Sequence, residues 1–205
     1  MTGKNTGFVK NAVKKFSLSY MITLSEKYKK EVIPAMKEKF GYRSVMAIPK
    51  IEKVIVNSGY GRQTASATGE EQKKLADYVL ENLGLICGQK AVKTYARKAI
   101  SGFKIRQGMP IGAKVSLRGK KMTDFLERFI HLVLPRTRDF KGISPDSVDR
   151  QGNLTIGVKE HIVFPEILPE KARNIFGLEI TVTTTAKSKE EALELFKLLG
   201  FPIKR

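Results

Sequence analysis

The chain has 205 residues, with 38 Lys and Arg against 20 Asp and Glu and a net charge of +18; its pI is about 10.0. That balance points to a polyanionic partner, nucleic acid first, because phosphate chains are the common biological surface needing so much positive charge. It contains no run of about 18 apolar residues for a membrane-spanning helix, and a lone Cys87 excludes a disulfide framework and favours a reducing compartment.

Residues 1–22 carry Lys4, Lys10, Lys14 and Lys15 and no acid; the first acid is Glu26. No apolar core with a small-residue cleavage site marks a secretory signal. A basic disordered arm, an organelle-targeting peptide, or a start placed ahead of a true Met21 all fit. The segment is therefore set apart as a disordered extension of one domain spanning 23–205.

Thr23-Leu24-Ser25-Glu26 fits a capping box and predicts a helix to Phe40-Gly41, kinked or broken at Pro34. Residues 50–57 alternate as a strand, with Ile51, Lys53, Ile55 and Asn57 on one side and Glu52, Val54 and Val56 on the other. Thr68-Gly69-Glu70-Glu71 opens a second helix, which puts Leu75, Val79, Leu80 and Leu83 on one face and should stop at Gly84. Residues 90–96 form a strand, and 111–118 a cleaner one: Ile111, Ala113, Val115 and Leu117 point one way, Gly112, Lys114, Ser116 and Arg118 the other. An amphipathic helix over 120–134 uses Met122, Phe125, Leu126, Phe129 and Val133 and ends at Pro135. Leu154, Ile156 and Val158 mark a fourth strand; Leu178, Ile180, Val182 and Thr184 mark a fifth. Ser188-Lys189-Glu190-Glu191 caps a last helix that ends at Gly200. Strands and helices mix without regular βαβ alternation. The reading is α+β, with a largely antiparallel sheet, helices packed on one face and the other face open.

Charge is uneven along this plan. Positions 82 to 123 hold no acid and ten bases: Lys90, Lys93, Arg97, Lys98, Lys104, Arg106, Lys114, Arg118, Lys120 and Lys121. A solvated face mixes signs; a face of one sign neutralises phosphates and releases their counterions. Within it, 101–110 reads as an exposed loop in which Phe103 and Ile105 alternate with Lys104 and Arg106. Phe103 either stacks on an unpaired base or ribose or tucks into the core. The polar side of 111–118 offers Lys114, Ser116 and Arg118 to phosphate and 2′-hydroxyl.

Catalytic patterns are thin. Gly59-Tyr60-Gly61 lies between a strand and a helix, but Thr64 stands where a dinucleotide loop needs its third glycine, and no Gly-Lys-Ser/Thr follows. His131 and His161 have no Cys or carboxylate at metal spacing, which assigns them packing or surface roles. Cys87 reads as a small buried hydrophobe. The expectation is no enzyme, no metal, no cofactor and no small-molecule substrate. An RNA-binding enzyme or assembly factor, and a general basic DNA-binding module, are the rival classes.

Several long strings, in order, resemble the bacterial-type large-subunit ribosomal protein five family. They are Gly102-Phe103-Lys104-Ile105-Arg106-Gln107-Gly108, then Pro110-Ile111-Gly112 and Leu117-Arg118-Gly119, and Pro135-Arg136-Thr137-Arg138-Asp139-Phe140-Lys141-Gly142. Gly157-Val158-Lys159-Glu160, Ile162-Val163-Phe164-Pro165-Glu166-Ile167 and Gly177 through Ser188 complete the set, and the likeness runs from about residue 28 to 205. The resemblance implies a structural large-subunit protein that binds 5S ribosomal RNA in the central protuberance, among other large-subunit proteins there. It assigns RNA contacts on the sheet to Asn57, Gln89 and Ser116, the last a hydroxyl where the family more often has Thr. It implies that Ser101, Gly102, Phe103, Lys104, Ile105, Arg106 and Gln107 reach the transfer RNA in the peptidyl site. It also implies an intersubunit bridge to a small-subunit head protein through Arg136, Arg138, Asp139 and Phe140. The expected location is the cytoplasmic ribosome, or an organellar one if residues 1–20 are a targeting segment.

Overall fold

The first helix shows how local signals and packing divide the work. In the computed structural model, which describes residues 23–64, 69–138, 140–172 and 174–204, Thr23 caps it by accepting a hydrogen bond from the Glu26 N–H at 3.3 Å. The helix, α1, runs through Leu24–Lys27, Tyr28–Val32 and Ile33–Phe40 and stops where Gly41 turns left-handed at φ 66°. Of the kink or break expected at Pro34, the break does not occur. Tyr28–Val32 is a π turn in which the Ile33 N–H reaches the Tyr28 carbonyl. The wider turn gives the proline ring room, and its missing N–H costs no regular bond.

The same device corrects a second expectation. The helix α4 begins at Gly119–Arg128, widens into a π turn at Phe129–Val133 and continues through Leu134–Arg136, so Pro135 lies inside it instead of ending it. A third correction concerns Gly84. After the short α2, Gly61–Thr64, the helix α3 spans Gly69–Cys87 and passes Gly84. It ends before Gly88, whose φ is 62°. Ile86 and Cys87 are buried in the core, so packing retains the last turn and the stop falls at the next left-handed glycine. The last helix, α5, is Lys189–Leu199. It is capped by Ser188, which accepts from the Glu191 N–H at 3.3 Å, and it is closed by Gly200. The N-terminal segment 1–22, the capping residue Thr68 and Asp139 lie outside the described residues.

The strands are β1 (Ile51–Gly59), β2 (Val92–Tyr95), β3 (Pro110–Leu117), β4 (Leu154–Val158) and β5 (Leu178–Thr184). They form one sheet in the order β2-β3-β1-β5-β4, and each neighbouring pair is antiparallel. This is the expected α+β architecture. Alternation decides the faces. Val56 pairs with Val115 and with Ile180, and all three are buried. On that side α3 packs on β3 and α4 meets β1, while α5 packs on the π turn of α1. Each fully buried Val, Leu, Ile or Phe contributes about 1.5–3 kcal/mol. Every other residue of β1, β3 and β5 points to the uncovered side.

Two residues singled out by sequence are accounted for by packing. Cys87 is buried, and burial pushes its thiol up to about 12, which makes it inert. His161 is fully buried, stacks on Phe176 with ring centroids 4.0 Å apart and accepts a hydrogen bond at Nδ1 from the Phe176 N–H at 3.4 Å. Burial holds its pKa below the usual 6.5. The unfolded chain therefore binds the proton more readily, and stability falls as pH drops below about 6.5 toward the folded value. His161→Phe, which keeps the stack, should flatten that decline; urea midpoints measured at about pH 7.5 and pH 5 check it, and an unchanged slope in the variant refutes the assignment.

Candidate nucleic-acid interface

The open face gathers most of the sheet residues that sequence singles out. The register pairs Asn57 with Lys114 and Ile55 with Ser116. Lys114 and Ser116 are exposed and Asn57 is half-buried. Gln89, in the turn between α3 and β2, donates from Nε2 to the Ser116 carbonyl oxygen at 3.3 Å. Asn57, Gln89, Lys114 and Ser116 thus converge from three segments: β1, the turn before β2, and β3. Arg118 is exposed and keeps an extended backbone, φ −142° and ψ 164°, so it continues the polar alternation of β3. Gly112 serves the close approach of β2 and β3: a Cβ there would lie 2.7 Å from Thr94 Oγ1 and 2.9 Å from the Ser58 carbonyl.

The acid-free span forms the side of the molecule built from β2, β3 and their connections. Not all ten bases are available to a partner. Lys93 pairs with Asp77 on α3 at 2.8 Å, and Lys121 donates to the Gly88 carbonyl at 3.1 Å. Lys90, Arg97, Lys98, Lys104, Arg106, Lys114, Arg118 and Lys120 are exposed.

The loop between β2 and β3 is a hairpin extension. Ile100 and Ile105 exchange hydrogen bonds of 2.9 and 3.2 Å, Ser101–Phe103 is a 3₁₀ turn, and the turn is closed by Lys104 in the left-handed region at φ 54°. A lysine there costs about 1–2 kcal/mol relative to ordinary backbone. Of the two fates open to Phe103, the structure takes the exposed one. The residue is 68% exposed, beside exposed Ser101, Gly102, Lys104, Arg106 and Gln107, with Ile105 half-buried.

Residues 135–142 lie elsewhere, at the end of α4 and beyond it. Arg136 and Arg138 are exposed, and Phe140 packs partly on the core. A cleft there is lined by Arg138, Phe140, Lys141, Lys159, Glu160 and Lys204. In Gly59-Tyr60-Gly61, Tyr60 is buried and packing explains Gly61, where a Cβ would meet the Ile111 Cβ at 3.3 Å; a Cβ on Gly59 would meet nothing within 4 Å. Sequence reasoning missed Glu179, Thr181 and Thr155, which share the open face. Alternation along β5 and β4 carries that signal, once the register is known.

Together these features define a basic α+β protein in which, among the described residues, one sheet face and one cationic edge stay uncovered. The family described as Ribosomal protein L5 matches residues 44–106, and the model of that family's C-terminus matches residues 110–203. The large ribosomal subunit protein uL5 of Halothermothrix orenii is 50% identical over 182 residues, which cover 89% of this chain and 98% of that protein. Its counterpart in Syntrophomonas wolfei is 50% identical over 184 residues, 90% of this chain and 100% of that protein. The chain belongs to the uL5 family of large ribosomal subunit proteins. It is a structural component of the ribosome and not an enzyme.

Proposed function

We propose that residues 23–205 act as one ribosomal RNA-binding domain that holds 5S ribosomal RNA on the open sheet face, within the central protuberance and beside other large-subunit proteins. The observation that carries this is the convergence of Asn57, Gln89, Lys114 and Ser116 on a face no helix covers among the described residues. Amides and hydroxyls recognise 2′-hydroxyls and base edges, and Lys114 and Arg118 hold phosphates. The exposed loop from Ser101 to Gln107 reaches the peptidyl-site transfer RNA: Phe103 lies against a ribose or base, and Lys104 and Arg106 attract the backbone. Arg136, Arg138, Asp139 and Phe140 meet a small-subunit head protein.

A salt titration tests the central part. Affinities for 5S RNA and for duplex DNA of equal length are measured as salt rises. Purely electrostatic binding decays with a log–log slope of about −0.9 per phosphate neutralised. The 5S complex should persist at salt that abolishes DNA binding. Parallel decay of the two would leave only a general polyanion binder.

A further inference from the structure

Glu179 lies on the uncovered face near the start of β5, the strand between β1 and the edge strand β4, and a polyanion-binding surface has little use for a carboxylate there. β1 aligns Asn57 with Lys114 on one side and with Glu179 on the other, and β4 adds Gly157 beyond Glu179. The row therefore reads cation, amide, carboxylate, glycine. Glu179 is exposed, and among the described residues no Lys or Arg forms an ion pair with it. Its hydrogen-bond partner is Asn57, whose Nδ2 donates to Oε2 at 3.4 Å.

That bond fixes more than one group. A carboxylate only accepts, so the Asn57 amide turns its NH2 to Glu179 and its Oδ1 away. Gln89 is held likewise, its Nε2 spent on the Ser116 carbonyl and its Oε1 outside that bond. The face thus presents carbonyl and carboxylate oxygens, which phosphates repel and base or ribose donors satisfy. Next to Glu179 there is flat space: a Cβ on Gly157 would have nothing within 4 Å. The Thr155 and Thr181 hydroxyls, 3.4 Å apart, edge the adjoining row.

We propose that Glu179 reads an unpaired guanine of the bound RNA, accepting its N1–H and N2–H at the Watson–Crick edge while the ring lies over Gly157. Guanine is selected because it alone among the RNA bases has two adjacent donors on that edge. Adenine and cytosine set an acceptor nitrogen beside their amine, and uracil flanks its N3–H with carbonyls. Lys114, on the far side of Asn57, holds the backbone. The assignment rests on the 5S RNA reading of the sheet and adds a base-specific contact to it.

Glu179→Gln separates this from electrostatics, because the two predict opposite signs. Losing a negative charge tightens binding to any RNA; losing a bidentate acceptor weakens binding to 5S RNA by at least about fivefold, the low end for a base-edge pair. Filter binding is measured for the wild-type chain and the variant against 5S RNA and an unrelated RNA of equal length. It is repeated with 5S RNAs in which single unpaired guanosines are replaced by inosine, which lacks the N2 amine. The expected result is weaker 5S binding by the variant, with one inosine position that weakens the wild-type chain about fivefold and the variant little. Equal or tighter 5S binding by the variant, or inosine effects identical in both proteins at every position, overturns the guanine assignment alone. A wild-type chain that does not prefer 5S RNA overturns the reading of the sheet, and this assignment with it.

Discussion

Replacing both Lys104 and Arg106 with alanine is expected to weaken contact with peptidyl-site transfer RNA by on the order of tenfold at physiological salt, while 5S RNA affinity stays nearly unchanged. Both side chains are exposed and sit on the hairpin extension, at and just after the left-handed turn residue, away from the sheet row of Asn57 and Lys114. Each cation lost from a phosphate contact should also shallow the salt dependence of transfer-RNA binding by about one unit. The fold is expected to survive, because the loop's hydrogen bonds are made by backbone groups. Binding of the variant to 5S RNA, and of the reconstituted subunit to transfer RNA, measures the split. Equal losses in the two assays would mean that loop and sheet serve one RNA.

Asn57→Ala is expected to weaken 5S RNA binding by about 5- to 150-fold, the span of a lost hydrogen-bonding group in a desolvated contact. The side chain is half-buried on the open face, and its bond within the chain is the 3.4 Å contact to Glu179. No core volume is removed, so unfolding by urea should shift within about 0.5 kcal/mol, as for other surface substitutions. Alanine also takes from Glu179 its amide donor, which leaves a bare carboxylate in the RNA-facing row. A variant with normal RNA affinity would show that the sheet contacts lie elsewhere.

Local signals are the legible part of this fold. Thr23, Ser188, Gly41 and Gly200 cap helices as their spacing predicts, because a cap involves residues three or four apart. The alternation of 111–118 separates the buried and open sides of β3 correctly, since period two needs no tertiary knowledge. Gly84 does not end its helix because a glycine marks a helix end only where the backbone turns left-handed, and burial of Ile86 and Cys87 carries the helix on to Cys87. The direction of Phe103 is not legible at all. It depends on how Ile100 and Ile105 close the hairpin, and an alternating loop fits either outcome. Glu179 is invisible as a member of the site for another reason: its neighbour Asn57 lies 122 positions away in sequence, and only strand register joins them.

The widened turns beside Pro34 and Pro135 escape local reading too, yet they leave a trace in the spacing of apolar residues. In α1, Leu24, Tyr28, Val32, Met36 and Phe40 reach the core one every four positions, with Ile33 beside them. In α4, Met122, Leu126, Ile130 and Leu134 repeat in the same way, with Phe125, Phe129 and Val133 beside them. A stripe of period four on a regular helix of about 3.6 residues per turn swings round by about 40° at each step, and one oversized turn takes up much of that swing. Deleting a single residue from 28–32 would therefore do more than shorten α1. It would rotate everything downstream by about 100°, swing Met36 out toward solvent and press the ring of Pro34 against the backbone of a now regular helix.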